Sequence, residues 1–163
     1  MRRIALVLVA ATVLSLSACE RKAAPAPLSA EANAAYLADN ARKPNVVAVP
    51  GIQYEVLQKG TGAQPARHDC VTVNYKGSLI DGKVFDQTEP GKPATFPANR
   101  LIPGWVEALQ MMHVGDKWRL VIPAGLAYGK DGAGNGIIPP DQTLVFEIEL
   151  LKAFPPTETG CAA

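Results

Sequence analysis

Histidine is scarce in this sequence. There are two in 163 residues, and neither His68 nor His113 has cysteine, aspartate or glutamate partners at metal-ligand spacing. No glycine-rich loop lies between a strand pattern and a helix pattern, which argues against a phosphate cradle or a dinucleotide fold. No nucleophile elbow stands out either. Metal and cofactor chemistry are therefore not expected. Basic runs are also missing: formal net charge is +1, and −1 once Arg2 and Arg3 are set aside, so nucleic acid is not an expected partner. No internal repeat is visible, and no apolar run reaches the ~20 residues that a membrane-crossing helix needs.

What is present begins with residues 1–18, which have the form of an export signal. Arg2 and Arg3 precede an apolar run from Ile4 to Leu16, and small residues follow. The segment Leu16-Ser17-Ala18-Cys19 resembles the bacterial lipobox, in which the cysteine is lipidated and becomes the new N-terminus. Leu16 fits poorly as the small residue that ordinary cleavage wants three positions upstream. More than one acyl chain gives stable anchoring where one does not. Glu20 after the cysteine matches the outer-membrane sorting pattern of diderm bacteria. The expectation is a protein lipid-anchored at Cys19 and facing the periplasm, on the outer membrane rather than the inner.

Residues 19–45 then read as the lipidated N-terminus, a Pro/Ala-rich tether and a short helix. The helix spans Ser29 to Arg42, with Ser29 as N-cap, Glu31 in the first turn and Pro44 beyond the end. Its apolar face is thin, so it either spaces the domain from the membrane or docks loosely on some other surface.

The folded unit is expected over 46–154, with a flexible tail over 155–163. Ile52, Tyr54 and Val56 alternate with polar residues, as do Val71, Val73, Tyr75 and Leu79. Asp81-Gly82 supplies a tight turn into a return strand over Lys83–Asp86. Pro90 to Pro97 reads as loop. Strands follow at Trp118–Ile122 and Leu144–Leu150, separated by a long glycine- and proline-bearing loop from Ala124 to Asp141. Such a loop inside a compact domain is usually functional or disordered. With apolar residues Leu126, Ile137 and Ile138 bracketing it, it reads as a flap over a site.

Leu101 to Gly115 carries the one strong helical pattern of this region. Trp105, Ala108, Leu109 and Met112 fall at i, i+3, i+4 and i+7, with Pro103 suited to the first turn, Gly104 loosening the entry and Gly115 as the stop. A lone amphipathic helix among strands must bury its stripe on a sheet, which gives an α+β domain. Taken singly, Trp105 is a core aromatic, Tyr128 a turn residue, Asp86 a turn acceptor and Met111-Met112 core packing. Cys70 opens a strand and reads most simply as buried. A bridge to Cys161 in the tail stays open, because spacing alone does not establish geometry.

Val73-Asn74-Tyr75-Lys76-Gly77, Phe85-Asp86, Leu101-Ile102-Pro103-Gly104-Trp105, Ala127-Tyr128-Gly129, Ile137-Ile138-Pro139-Pro140 and Thr143-Leu144-Val145-Phe146 occur in that order. Together they resemble an FKBP-type peptidyl-prolyl cis/trans isomerase domain. The resemblance implies a twisted antiparallel sheet of about five strands wrapped around one short α-helix. It implies catalysis at Asp86, Tyr128, Trp105 and Phe146, and a substrate pocket of Tyr75, Phe85, Phe96, Leu101, Ile102 and Ile137, with the Ile102 N–H binding a carbonyl. No cofactor is implied. Proline-containing unfolded or partly folded polypeptides would be the partners, with tacrolimus-type macrolides as ligands. A second reading uses the same pocket in a non-catalytic, peptide-binding holdase or adaptor.

Overall fold

The computed structural model describes residues 26–157 and Cys161. The export signal, Cys19 and most of the tether lie outside the described residues. No helix among those described is long and apolar enough to cross a membrane.

Among the described residues seven strands form one antiparallel sheet: β1 (Val46–Ala48), β2 (Gln53–Gln58), β3 (Cys70–Leu79), β4 (Val84–Gln87), β5 (Ala94–Pro97), β6 (Lys117–Ile122) and β7 (Leu144–Phe154), in the order β1-β2-β6-β7-β3-β4 with β5 also on β3. β3 is the spine. One of its edges pairs with β7 along the full length, while the other is shared by β5 at Cys70–Val73 and β4 at Lys76–Ser78. Two strands exceed the expected five. β1 has three residues, too few for an alternation to register, and β5 lies where prolines suggested loop. Pro97 is tolerated because it ends an edge strand, where no ladder donor is lost.

The inner face of the sheet carries Val71, Val73, Trp118, Leu120, Ile122, Leu144, Phe146, Ile148 and Leu150, packed into one core with helix α2 (Pro103–Leu109). Seven residues are too few for a helix to stand alone. This one holds because Trp105, Ala108 and Leu109, with Met112 just past its end, are all buried on the sheet. Each such large apolar side chain contributes about 1.5–3 kcal/mol relative to exposure. Gly104 does more than loosen the entry. A Cβ there would lie 2.5 Å from Ile122 Cγ2, so its absence lets the first turn sit directly on β6. The helix also ends earlier than Gly115. Buried Asp116 takes the His113 and Gly60 N–H groups at 2.6 Å each, drawing the chain out of helical register. Gly115, at φ +96°, then serves the turn into β6.

A second helix, α1 (Ala30–Ala41), is capped by Ser29, whose side chain accepts from the Ala32 N–H. It docks on the domain through two buried asparagines rather than an apolar stripe. At one end Asn40 donates to Gln53 Oε1 at 2.9 Å and accepts from Arg119, which also donates to the Tyr36 hydroxyl. At the other, Asn33 meets Gln142 and Thr143 at the start of β7. The bridge left open by the sequence is formed: Cys161 is bonded to Cys70, across 91 positions.

Candidate functional site

A cavity of about 170 Å³ opens between α2, the inner face of the sheet and the loop after β6. Its floor is Trp105, which the buried stripe of α2 fixes at 4% exposure. Tyr75 of β3 and Phe146 of β7 stand edge-on to the indole, with centroids 5.4 and 5.3 Å away and interplanar angles of 85° and 87°. Phe85 of β4 meets Phe146 in the same way at 5.6 Å, and Phe96 of β5 tilts against Tyr75 at 6.2 Å. Edge-to-face pairs of this kind add about 0.5–1.5 kcal/mol each beyond area burial. The result is a preformed aromatic well. Leu101 and Ile102, just ahead of α2, complete its wall.

Gly77 makes the well possible, a role that nothing in its sequence pattern signals. It stands opposite both Phe146 and Asp86 in the sheet. A Cβ at that position would come within 2.6 Å of Phe85 Cζ and 2.7 Å of Phe146 Cε1, so any side chain would push the two rings apart.

The polar groups sit at the mouth. The Tyr75 hydroxyl donates to Asp86 Oδ2 at 2.6 Å. Partial burial, then the bond to Asp86 and its charge, hold the Tyr75 hydroxyl far above the ordinary tyrosine range. Tyr128, on the flap and 39% exposed, is also raised, first by burial and then by the Asp86 charge. Both hydroxyls therefore stay protonated donors at neutral pH. They differ in availability. Tyr75 is committed to Asp86, whereas the Tyr128 hydroxyl has no hydrogen-bond partner among the described residues. The Ile102 N–H is likewise unpaired among them, while its carbonyl accepts from Trp105 and Val106 at the start of α2. Two of the residues lining the well thus carry donors without a partner among the described residues.

Nine of the expected site residues line this one cavity: Asp86, Tyr128, Trp105, Phe146, Tyr75, Phe85, Phe96, Leu101 and Ile102. Ile137 does not. It lies on the far part of the flap, 50% exposed, beyond the residues that line the well. Cys19, expected to carry lipid, is outside the described residues. The Tyr75–Asp86 bond was not legible, since the partners are 11 positions apart on strands whose register shifts at Gly77/Ser78.

Comparison with known proteins agrees with this geometry. The family described as FKBP-type peptidyl-prolyl cis-trans isomerase matches residues 61–151. The outer membrane protein MIP of Legionella longbeachae is 52% identical over 120 residues, covering 72% of this chain and 51% of the relative. The FKBP-type 22 kDa peptidyl-prolyl cis-trans isomerase of Escherichia coli K12 is 56% identical over 119 residues, covering 72% and 57%. The chain thus spans about half the length of these curated relatives. Among solved structures, a peptidyl-prolyl cis-trans isomerase from Pseudomonas syringae superposes with a TM-score of 0.72 at 42% identity, over 80% of this chain and 98% of that one.

Proposed function

The chain belongs to the FKBP-type peptidyl-prolyl cis-trans isomerases, and from that premise we propose that it accelerates rotation about X-Pro bonds in polypeptides that fold after export. The observation that carries the proposal is the aromatic well floored by Trp105, with unpaired donors on two of its lining residues, Ile102 and Tyr128.

An X-Pro bond is nearly balanced between isomers but exchanges over tens to hundreds of seconds, because C–N resonance sets a barrier of about 18–20 kcal/mol. The planar amide is strongly dipolar. Twisting it breaks resonance, returns charge to nitrogen and leaves a less polar group. A proline ring seated on Trp105, away from water, is in surroundings that favour the twisted form over the planar one. Each tenfold of rate requires only about 1.4 kcal/mol of such differential stabilisation. The Ile102 N–H and the Tyr128 hydroxyl hold flanking carbonyls, so that rotation is confined to one bond. Asp86 keeps Tyr75 upright in the wall. No proton moves.

In this reading residues 46–154 form the isomerase unit, and Cys19 carries the lipid that holds it at a membrane facing the periplasm. The leader and lipobox pattern support this, as does the name of the Legionella relative. Replacing Cys19 with alanine then releases the protein from the membrane fraction; a variant that still pellets at wild-type mass contradicts the anchor. A proline-limited peptide assay, run with and without a tacrolimus-type macrolide, tests the activity. Acceleration that the macrolide abolishes is expected. Peptide binding with no acceleration would point instead to a holdase using the same well.

A further inference from the structure

The loop that carries Tyr128 is tied at its root. The Asp141 N–H donates to Gly129 O at 2.8 Å, closing the flap one residue from Tyr128. The next residue, Gln142, is 5% exposed, and its side-chain N–H groups donate to Pro140 O at 2.9 Å and Leu28 O at 3.1 Å. Its Oε1 accepts from Asn33 Nδ2 at 3.2 Å. Asn33, also 5% exposed, in turn accepts the Thr143 N–H at 2.7 Å and donates to the Leu28 carbonyl at 3.2 Å. Asn33 thus joins the first turns of α1 to the residues that immediately follow the flap.

Two features show how tightly this junction is specified. The Asn33 amide has one productive orientation: its oxygen must face the Thr143 N–H, which places its nitrogen against oxygens of Leu28, Ser29 and Gln142. Leu28 and Asp141, on either side of the Gln142 side chain, both adopt left-handed backbone, at φ 64° and 59°. For residues other than glycine such a conformation persists only where the surroundings over-determine it.

We propose that Asn33, acting through Gln142, is a positioning residue for Tyr128, and that α1 is part of the working site rather than a spacer. The inference rests on the isomerase reading and adds to it a residue some 95 positions upstream in sequence. α1 supplies its own control. Asn40 anchors the other end of the helix to Gln53 and Arg119, with no bond to the flap. Losing either asparagine loosens α1, but only Asn33 touches the flap root.

The test measures kcat and KM on an X-Pro peptide, together with amide hydrogen exchange, for Asn33→Ala, Asn33→Asp and Asn40→Ala in the full chain. Asn33→Ala is expected to lower kcat by roughly 3- to 30-fold, within the range by which a misplaced orienting group slows a reaction. Exchange at Asp141 should quicken while β3 and β7 stay protected. Asn33→Asp should be at least as damaging, because its second oxygen faces acceptors. Asn40→Ala should speed exchange in α1 and leave kcat unchanged. In a Tyr128→Phe background the kcat effect of Asn33→Ala should largely vanish, which a general loss of structure would not produce. Should Asn33→Ala fail to fold, Gln142→Ala removes the same link from the other side. Equal kcat losses at Asn33 and Asn40, or wild-type kcat and Asp141 exchange in Asn33→Ala, overturn the proposal. Absence of catalysis in the wild-type protein sinks the isomerase reading separately, and the exchange data still decide whether α1 holds the flap.

Discussion

At the scale of residues, the site separates groups that orient from groups that also build the fold. Tyr128→Phe removes one hydroxyl that has no hydrogen-bond partner among the described residues. Stability should move by less than ~1 kcal/mol, while turnover falls. Asp86→Ala should behave similarly, since the aspartate is exposed and its one side-chain partner among the described residues is the Tyr75 hydroxyl. Trp105→Leu should not separate the two quantities. The indole is both floor and buried stripe, and truncating a buried tryptophan costs on the order of 3 kcal/mol. Isomerisation rates and urea midpoints on the three variants check this, and equal behaviour of Tyr128 and Trp105 would contradict it. A second residue-scale expectation concerns alkali. Tyr75 and Tyr128 have raised pKa values in the folded state, so folding favours their neutral forms. That contribution is intact below about pH 10, the unfolded tyrosine value, and is lost as pH rises through the folded values. Urea midpoints should thus fall above about pH 10, and less steeply in Tyr75→Phe.

Elements differ in how plainly the sequence announced them. α2 was legible because its stripe is apolar and periodic, and because Pro103 sits where a helix begins. The aromatic well was legible only through resemblance. Alternation says that Tyr75, Phe85 and Phe146 lie on strands, but not that bulges and pairings bring them to one place. The docking of α1 was hidden for a different reason. Asn33 and Asn40, seven residues apart, share a helix face, and asparagine on a helix ordinarily reads as solvated. Here each amide is buried against partners supplied by distant strands and loops, so a polar stripe does what an apolar one usually does. Gly104 misled in a smaller way, as a loose entry that proved to be a close approach. Gly104→Ala should therefore destabilise by about 1–3 kcal/mol through overpacking against Ile122. Ile122→Val in the same chain should recover part of that loss. If Gly104→Ala is neutral or stabilising by thermal denaturation, α2 does not sit on β6 as described.

Across the whole molecule, the sheet wraps one helix, and the Cys70–Cys161 bridge fastens the chain's end to the strand that carries Tyr75. Closing a loop of that length removes unfolded-state entropy, so Cys161→Ser should cost about 2–4 kcal/mol while leaving kcat unchanged. A parallel loss of activity would mean that the bridge shapes the well as well as the stability. In the proposed mechanism this fold isomerises X-Pro bonds by seating proline in an apolar well and holding its neighbours, with no acid or base taking part. The most direct test is kcat/KM on a short X-Pro peptide measured from about pH 6 to 9, where a reaction dependent on proton transfer shows the titration of its catalytic groups. Acceleration over the uncatalysed rate, flat across this range, is expected. A bell-shaped profile, or no acceleration at any pH, would contradict it.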